Sequence, residues 1–125
     1  MALNVLIVDD SAVMRSMIIK TLKLSGLELG EIYEAGDGRE GLVRLADHWI
    51  DLLMIDINMP VMDGMEMLHN VKENPETRDI PVLIVSTESN EERIAKFYKL
   101  GASFVHKPFT PEDLKNEITR VTDQE

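Results

Sequence analysis

Short apolar runs alternate along the chain with longer segments in which apolar residues recur at helical spacing. Three of these runs contain only aliphatic residues or methionine and are too short for helices: 5–8, 52–55 and 82–85. Strands that are apolar on both faces are typical of a parallel sheet buried between layers of helices. Two weaker runs, 32–35 and 103–105, fit the gaps as edge strands. The pattern therefore predicts five strands.

Five segments between and after these runs are predicted to be helical. The first has Ser11 as its N-cap and ends at Gly26, and the others lie near 37–47, 64–73, 89–100 and 111–122. Strict alternation of strands and helices predicts right-handed crossovers and a parallel sheet with helices on both faces, which is a doubly wound α/β fold. No repeat or linker divides the sequence, so 1–125 is predicted to form one domain.

Composition excludes several classes of function. Among 125 residues, 13 are Lys or Arg and 23 are Asp or Glu, for a net charge of −10. Without a basic run, binding to nucleic acid or to anionic membrane is not expected. The absence of cysteine excludes disulfides, thiolate metal sites and cysteine nucleophiles. We find no signal peptide and expect a cytoplasmic protein without membrane insertion, too short to hold a separate output domain.

Polar side chains follow the inner strands at the edge where their carboxyl ends are predicted to meet. Asp9 and Asp10 come after the first strand, Asp56 after the third, Ser86 after the fourth and Lys107 after the fifth. In open α/β sheets the functional crevice lies outside these strand ends. A carboxylate that ends an apolar strand is costly unless a cation binds beside it. The alternatives are an acidic turn capping a helix for the aspartates and a solvated surface position for the lysine.

The donor types point to a hard divalent cation. All the candidate ligands offer oxygen, and the three histidines are scattered without metal-ligand spacing, which argues against zinc. Mg²⁺ takes one or two carboxylates and is commonly completed by phosphate oxygens. With a hydroxyl and an ammonium at the same edge, these groups are the parts of a phosphoryl-acceptor site.

The sequence resembles the receiver domains of two-component response regulators, in particular single-domain CheY-like members, over essentially its whole length. The resemblance rests on the paired aspartates 9–10, on Asp56 followed by Met59-Pro60 and Asp63-Gly64, on Ser86, and on Lys107-Pro108. It implies the strand order 2-1-3-4-5 of flavodoxin-like folds.

The resemblance also implies roles for individual residues. Asp56 is expected to accept a phosphoryl group from a sensor histidine kinase. Asp10, Asp56 and the main-chain carbonyl of Asn58 are expected to bind Mg²⁺ directly, with Asp9 acting partly through water. Lys107 is expected to pair with a phosphoryl oxygen.

The resemblance also implies which residues change position when the protein is phosphorylated. Ser86 is expected to move toward the phosphoryl group, and Phe104 to turn inward behind it. Core packing is an equal alternative for Phe104, which stands where chemotaxis-type members usually have Tyr. Thr87 is bulkier than the usual Ala or Gly. Glu88 and Asn58 occupy positions at which the family tunes hydrolysis of the acyl phosphate, and simple loop polarity is their alternative.

The expected output is a change of affinity for a protein partner, through helix four, strand five and helix five. A flagellar motor switch protein in chemotaxis is the expected target, and a phosphorelay intermediate is the alternative. An aspartyl-nucleophile phosphatase is disfavoured because it needs a second Asp where Asn58 stands. A flavodoxin-like carrier is disfavoured because Asp9 and Asp10 would repel the flavin phosphate.

Three further features of the sequence can be interpreted. Arg15 lies one helical turn after Ser11, and together with residues 9–11 it is similar to CheY-type sequences. A helix cap and an exposed surface arginine explain these residues equally well. Trp49 precedes the third strand and is expected to lie roughly 23 Å from Asp56 along it, too far to report metal binding. The Lys107-Pro108 peptide is compatible with either isomer.

Overall fold

The computed structural model describes residues 2–57, 59 and 61–122. Strands and helices alternate along the chain. The strands are β1 (Leu3–Val8), β2 (Leu29–Ala35), β3 (Leu52–Ile55), β4 (Val82–Ser86) and β5 (Ser103–His106). The helices are α1 (Ala12–Leu24), α2 (Gly38–Asp47), α3 (Gly64–Glu73), α4 (Glu91–Lys99) and α5 (Pro111–Thr122). The strands form one parallel sheet in the order β2-β1-β3-β4-β5, which confirms the predicted fold class and strand order.

Both faces of the sheet are covered by helices. Alternate residues of the inner strands pack against α2, α3 and α4 on one face, where Leu45, Leu68 and Phe97 join the core. The opposite face packs against α1 and α5, which contribute Ile18 and Leu114. Because side chains alternate across a strand, continuous apolar runs are needed to fill both cores.

Side-chain caps start all five helices. A main-chain N–H three residues later donates a hydrogen bond to the side chain of each cap residue, which are Ser11, Asp37, Asp63, Asn90 and Thr110. Such caps satisfy amide groups that have no partner inside the helix. Gly26 and Gly101 follow α1 and α4 with φ of 85° and 83°, a left-handed conformation that suits glycine.

Several predicted boundaries differ from the structure by one to three residues; β1, for example, begins at Leu3 rather than 5. Helix α4 begins at Glu91 rather than 89, because Asn90 is its cap and Glu88 accepts hydrogen bonds from the N–H groups of Ser89 and Asn90. Strand β2 begins at Leu29 rather than 32, and an irregularity in its pairing with β1 accommodates the extra residues. Within the described residues, no helix has both the length and the apolar character needed to cross a membrane.

Candidate functional site

The parallel register brings the predicted rim residues together at the carboxyl edge of the sheet. Val8 pairs with Ile55, and the Asp56 N–H donates to the carbonyl of Val8 at 2.9 Å. Ser86 pairs with His106, and the Lys107 N–H donates to the carbonyl of Ser86 at 2.8 Å. The two ends of the rim are therefore fixed by sheet hydrogen bonds, as the alternation of strands and helices predicted.

The Lys107 ammonium faces two of the three aspartates. Its Nζ lies 3.8 Å from Asp9 Oδ2 and 3.7 Å from Asp56 Oδ1. All three side chains are largely shielded, with side-chain exposures of 17%, 3% and 13% respectively. Lys107 is thus not a solvated surface lysine but the cation of a shielded acidic site. The Lys107-Pro108 peptide bond is cis.

Asp9 is the most deeply buried acid of the site. The residue is 2% exposed, and its Oδ1 accepts a hydrogen bond from the Ser11 N–H at 2.9 Å. Its Oδ2 is buried, has no hydrogen-bond partner among the residues that the structure describes, and lies 3.8 Å from Lys107 Nζ. A buried carboxylate oxygen without a hydrogen bond is costly and is suited to bind a cation or a water that a cation holds.

Burial and mutual repulsion raise the pKa of both inner carboxyls. The pKa of Asp56 rises from 3.8 to about 6, first because of burial and then because of the Asp9 charge, with Lys107 acting in the opposite direction. The pKa of Asp9 is also raised, again chiefly by burial. Both pKa shifts indicate that the protein's own positive charges and hydrogen-bond donors do not offset the cost of burying these ionised carboxylates.

The three carboxylates fit a divalent cation. Asp9, Asp10 and Asp56 each offer an oxygen, and these oxygens lie within 4.8 Å of one another. Asp10 is exposed, so the cluster is open to solvent on one side. An oxygen-only donor set with a solvent-facing side suits Mg²⁺, which keeps several waters. The predicted fourth ligand, the carbonyl of Asn58, lies outside the described residues.

The predicted switch residues lie on neighbouring strands. Ser86 is buried, and its Oγ accepts a hydrogen bond from the Glu88 N–H at 3.0 Å. Phe104 is half-buried against the core that α4 covers, with its ring centroid 6.5 Å from that of Phe97. The position of Phe104 is compatible with both interpretations, core packing and a moving ring.

Two of the residues expected to set the rate of acyl-phosphate hydrolysis, Thr87 and Glu88, lie in the described part of the chain and differ in their surroundings. Thr87 is exposed. Glu88 is half-buried, and its carboxylate pairs with Arg93 Nη1 at 3.1 Å besides accepting from the amides at the start of α4. Its charge is therefore directed toward its own loop and α4.

Gly64, at the start of α3, lies close to the main chain that directly follows β3. The Gly64 N–H donates to the carbonyl of Ile57 at 2.8 Å, and a Cβ on Gly64 would lie 2.5 Å from the carbonyl oxygen of Asp56. Only glycine allows this approach. In the loop between β3 and α3, Val61 has φ of 67°, a conformation that is costly for a β-branched residue.

Sequence reasoning did not predict the contacts of one arginine. Arg15, for which an exposed surface position and a family resemblance were equal interpretations, has a side-chain exposure of only 18% because its Nε pairs with Glu34 Oε1 at 3.0 Å. Its Nη1 donates to the main-chain carbonyl of Asp9. A helical arginine gives no signal of such partners, because they lie on β2 and on the loop after β1.

Comparisons with known proteins agree with this geometry. The family model described as "Response regulator receiver domain" matches residues 5–119. Chemotaxis protein CheY-3 of Vibrio cholerae is 34% identical over 120 residues, which cover 95% of this chain and 91% of that protein. Chemotaxis protein CheY1 of Helicobacter pylori is 33% identical over 118 residues, which cover 93% and 94% respectively.

Solved structures show the same relationship. Chemotaxis protein CheY4 of Vibrio cholerae superposes with a TM-score of 0.84 at 35% identity, covering 97% of this chain and 99% of that one. A putative response regulator from Chloroflexus aurantiacus superposes with a TM-score of 0.88 at 25% identity, covering 99% and 100%. Together with the acidic rim and its lysine, these matches place the chain in the family of response regulator receiver domains.

Proposed function

We propose that this protein is a stand-alone response regulator that accepts a phosphoryl group on Asp56 from a sensor histidine kinase in the cytoplasm. The observation that carries the proposal is the position of the Lys107 ammonium, 3.7 Å from Asp56 Oδ1, beside three carboxylates that can share one cation. A phosphoryl group in transfer carries negative charge on its oxygens. An ammonium and a bound cation beside the accepting carboxylate can neutralise that charge.

In the transfer step, an oxygen of the ionised Asp56 attacks the phosphorus of a phosphohistidine on the kinase. The new P–O bond forms as the P–N bond breaks, and the electron pair returns to the imidazole nitrogen. The Lys107 ammonium would bind one oxygen of the transferred group, and the Ser86 hydroxyl would donate a hydrogen bond to another. Asp9, Asp10 and Asp56 would hold Mg²⁺, which when bound neutralises charge on the phosphoryl oxygens.

The same site would return to its starting state by hydrolysis of the acyl phosphate, so the protein acts on itself rather than on a separate substrate. Thr87, Glu88 and Asn58 are the proposed determinants of that rate. Their location along the loops after β4 and β3 supports this role.

The proposed output is a change of affinity for a protein partner through α4, β5 and α5. Ser86 and Phe104 link the site to this face, because β4 pairs with β5 and Phe104 packs toward Phe97 of α4. The phosphorylated side chain would carry roughly −1.5 to −2 charges in place of the single carboxylate charge, and its oxygens would draw the Ser86 hydroxyl and bias an existing equilibrium. The names of the relatives support a role in chemotaxis, and the proposed partner is a flagellar motor switch protein.

An assay with acetyl phosphate tests the acceptor. We expect acid-labile, Mg²⁺-dependent phosphate on the wild type and on Asp63→Asn, and none on Asp56→Asn. Asp63→Asn is the matched control because asparagine also caps a helix and Asp63 lies in the same loop. Equal incorporation in all three proteins would disprove the proposal.

The switch has its own test. Binding to a motor switch protein is expected to strengthen when acetyl phosphate and Mg²⁺ are added, and Asp56→Asn should bind equally with and without them. Unchanged wild-type binding would leave Asp56 as an acceptor and refute this output.

A further inference from the structure

Arg15 connects three elements at the edge of the acidic site. It lies in the first turn of α1, where its N–H donates to the carbonyl of Ser11, the residue that caps the helix. Its Nη1 donates to the carbonyl of Asp9 at 2.5 Å, and its Nε pairs with Glu34 of β2. A planar guanidinium can serve both partners at once, which a single ammonium does poorly.

Asp9 is consequently held at each of its polar main-chain groups. Its N–H donates to the carbonyl of Ala35 at 3.1 Å, and its carbonyl accepts from Arg15. Arg15 pairs with Glu34, the neighbour of Ala35. The two hydrogen bonds of the Asp9 main chain therefore both connect it to the end of β2. Oδ1 accepts from the Ser11 N–H, whereas the buried Oδ2 has no hydrogen-bond partner among the described residues and lies 3.8 Å from Lys107 Nζ in the site.

The same bond orients Asp10. The carbonyl that Arg15 binds belongs to the peptide between Asp9 and Asp10, so fixing that oxygen fixes the plane from which the Asp10 side chain departs. Asp10 is exposed and therefore receives little orientation from packing. The direction of its carboxylate depends correspondingly more on its main chain.

We infer that Arg15 is a positioning residue for the cation site: by clamping the Asp9 carbonyl to Glu34, it holds the Asp9 and Asp10 carboxylates in the arrangement that binds Mg²⁺. The inference rests on the proposed function, because it concerns the same site. Groups that orient metal ligands without touching the metal commonly change metal affinity by about 10–100-fold.

The sign of the effect separates this inference from simple electrostatics. A cation beside a cation site repels the metal, so removal of Arg15 for its charge alone would strengthen Mg²⁺ binding. Removal of a clamp weakens Mg²⁺ binding. A purely structural role would lower thermal stability and leave the affinity of the folded protein unchanged.

Arg44 provides a matched control. Its Nε donates to the main-chain carbonyl of Glu34 at 3.3 Å, so it contacts the same strand as Arg15, and its Nη2 pairs with Glu40 of its own helix. Replacement of either arginine removes one positive charge and one bond to β2. Only the Arg15 replacement releases the Asp9 carbonyl.

The test is a calorimetric titration of the folded protein with Mg²⁺ alone, for the wild type, Arg15→Ala, Arg15→Lys and Arg44→Ala. We expect the dissociation constant of Arg15→Ala to rise about tenfold or more, that of Arg15→Lys to rise less, and that of Arg44→Ala to stay within about twofold. Melting temperatures recorded in parallel confirm that each variant is folded at the titration temperature.

An unchanged or tighter dissociation constant for Arg15→Ala would overturn the inference, as would an equal loss in Arg44→Ala. Failure of the proposed function looks different: the wild type itself would bind no Mg²⁺ or accept no phosphate on Asp56. If Arg15→Ala is unfolded, Glu34→Gln, which keeps the hydrogen bond but weakens the anchor, takes its place and is expected to raise the dissociation constant severalfold.

Discussion

The Lys107 ammonium lies 3.7 Å from Asp56 Oδ1, although the two residues belong to loops that follow different strands, β5 and β3. The parallel sheet brings them to one edge, and β4 lies between their strands. This single cation offsets part of the repulsion among three carboxylates.

The first prediction concerns Lys107→Met. Loss of the ammonium removes a positive charge that competes with Mg²⁺ for Asp9 and Asp56, so Mg²⁺ should bind about threefold or more tightly. Phosphate incorporation from acetyl phosphate should nevertheless fall sharply, because the transferred group loses a partner. Weaker Mg²⁺ binding in Lys107→Met would show that the ammonium supports the cation site instead of competing with it.

The second prediction concerns pH and stability without metal. The folded protein holds the Asp56 proton more tightly than the unfolded chain, since the pKa rises from 3.8 to about 6. Stability is therefore lost as pH rises through about 6. Asp56→Asn should be more stable than the wild type by about 1–3 kcal/mol near neutral pH, and the difference should disappear toward about pH 4.

Urea unfolding in the presence of a chelator at the two pH values checks this prediction. Asp63→Asn is the control, because it removes a carboxylate at the surface end of the same loop. A stability difference between Asp56→Asn and the wild type that grows as pH falls would have the opposite sign and would contradict the assigned burial.

The third prediction concerns metal addition. Mg²⁺ binds the folded site and not the unfolded chain, so at a free concentration of a hundred times the dissociation constant it should stabilise the fold by about 2.7 kcal/mol. The gain should shrink below about pH 6, where Asp56 holds its proton. Asp10→Asn should lose most of the gain. A wild-type melting temperature that does not change when Mg²⁺ is added would refute the metal site.

The fourth prediction concerns Val61. Its φ of 67° is unfavourable for a β-branched side chain, and 76% of the residue is exposed, so little packing offsets the cost. Val61→Gly should stabilise the protein by about 1 kcal/mol. The same change at Val43, exposed on α2, should destabilise it by about 0.5 kcal/mol or more, because glycine weakens helices. Effects of the same sign at both positions would contradict the strain at Val61.

The fifth prediction concerns Trp49. The indole is 79% exposed at the start of the segment that leads into β3, with its N–H bound to Asp51, whereas Asp56 follows the other end of that strand. Its fluorescence should stay constant during a Mg²⁺ titration followed independently by calorimetry. Strong quenching would mean that metal binding reaches the opposite end of the sheet.

The sequence was sufficient to predict the elements and the composition of the rim. Helix α3 has the predicted bounds, and β3 coincides with the apolar run that predicted it. These elements have clear local signals: a capping aspartate, a helical period, an uninterrupted apolar run. The start of β2 at Leu29 has no such signal, because its early residues are exposed and are held by pairing with β1 and by Asn4.

Features that depend on distant partners could not be predicted. The burial of Arg15 follows from contacts with Glu34 and the Asp9 carbonyl, which lie on other elements. The orphan oxygen of Asp9 and the raised pKa of Asp56 depend on how closely three loops approach. Such quantities are properties of the assembled edge and not of any local pattern.

The most direct test of the central claim is the location of the phosphoryl group. The wild-type protein is incubated with acetyl phosphate and Mg²⁺, and mass spectrometry of its peptides identifies the modified residue. One phosphoryl group per chain is expected, on Asp56. A phosphoryl group on any other residue, or an unmodified Asp56 in protein that has bound Mg²⁺, would contradict that claim.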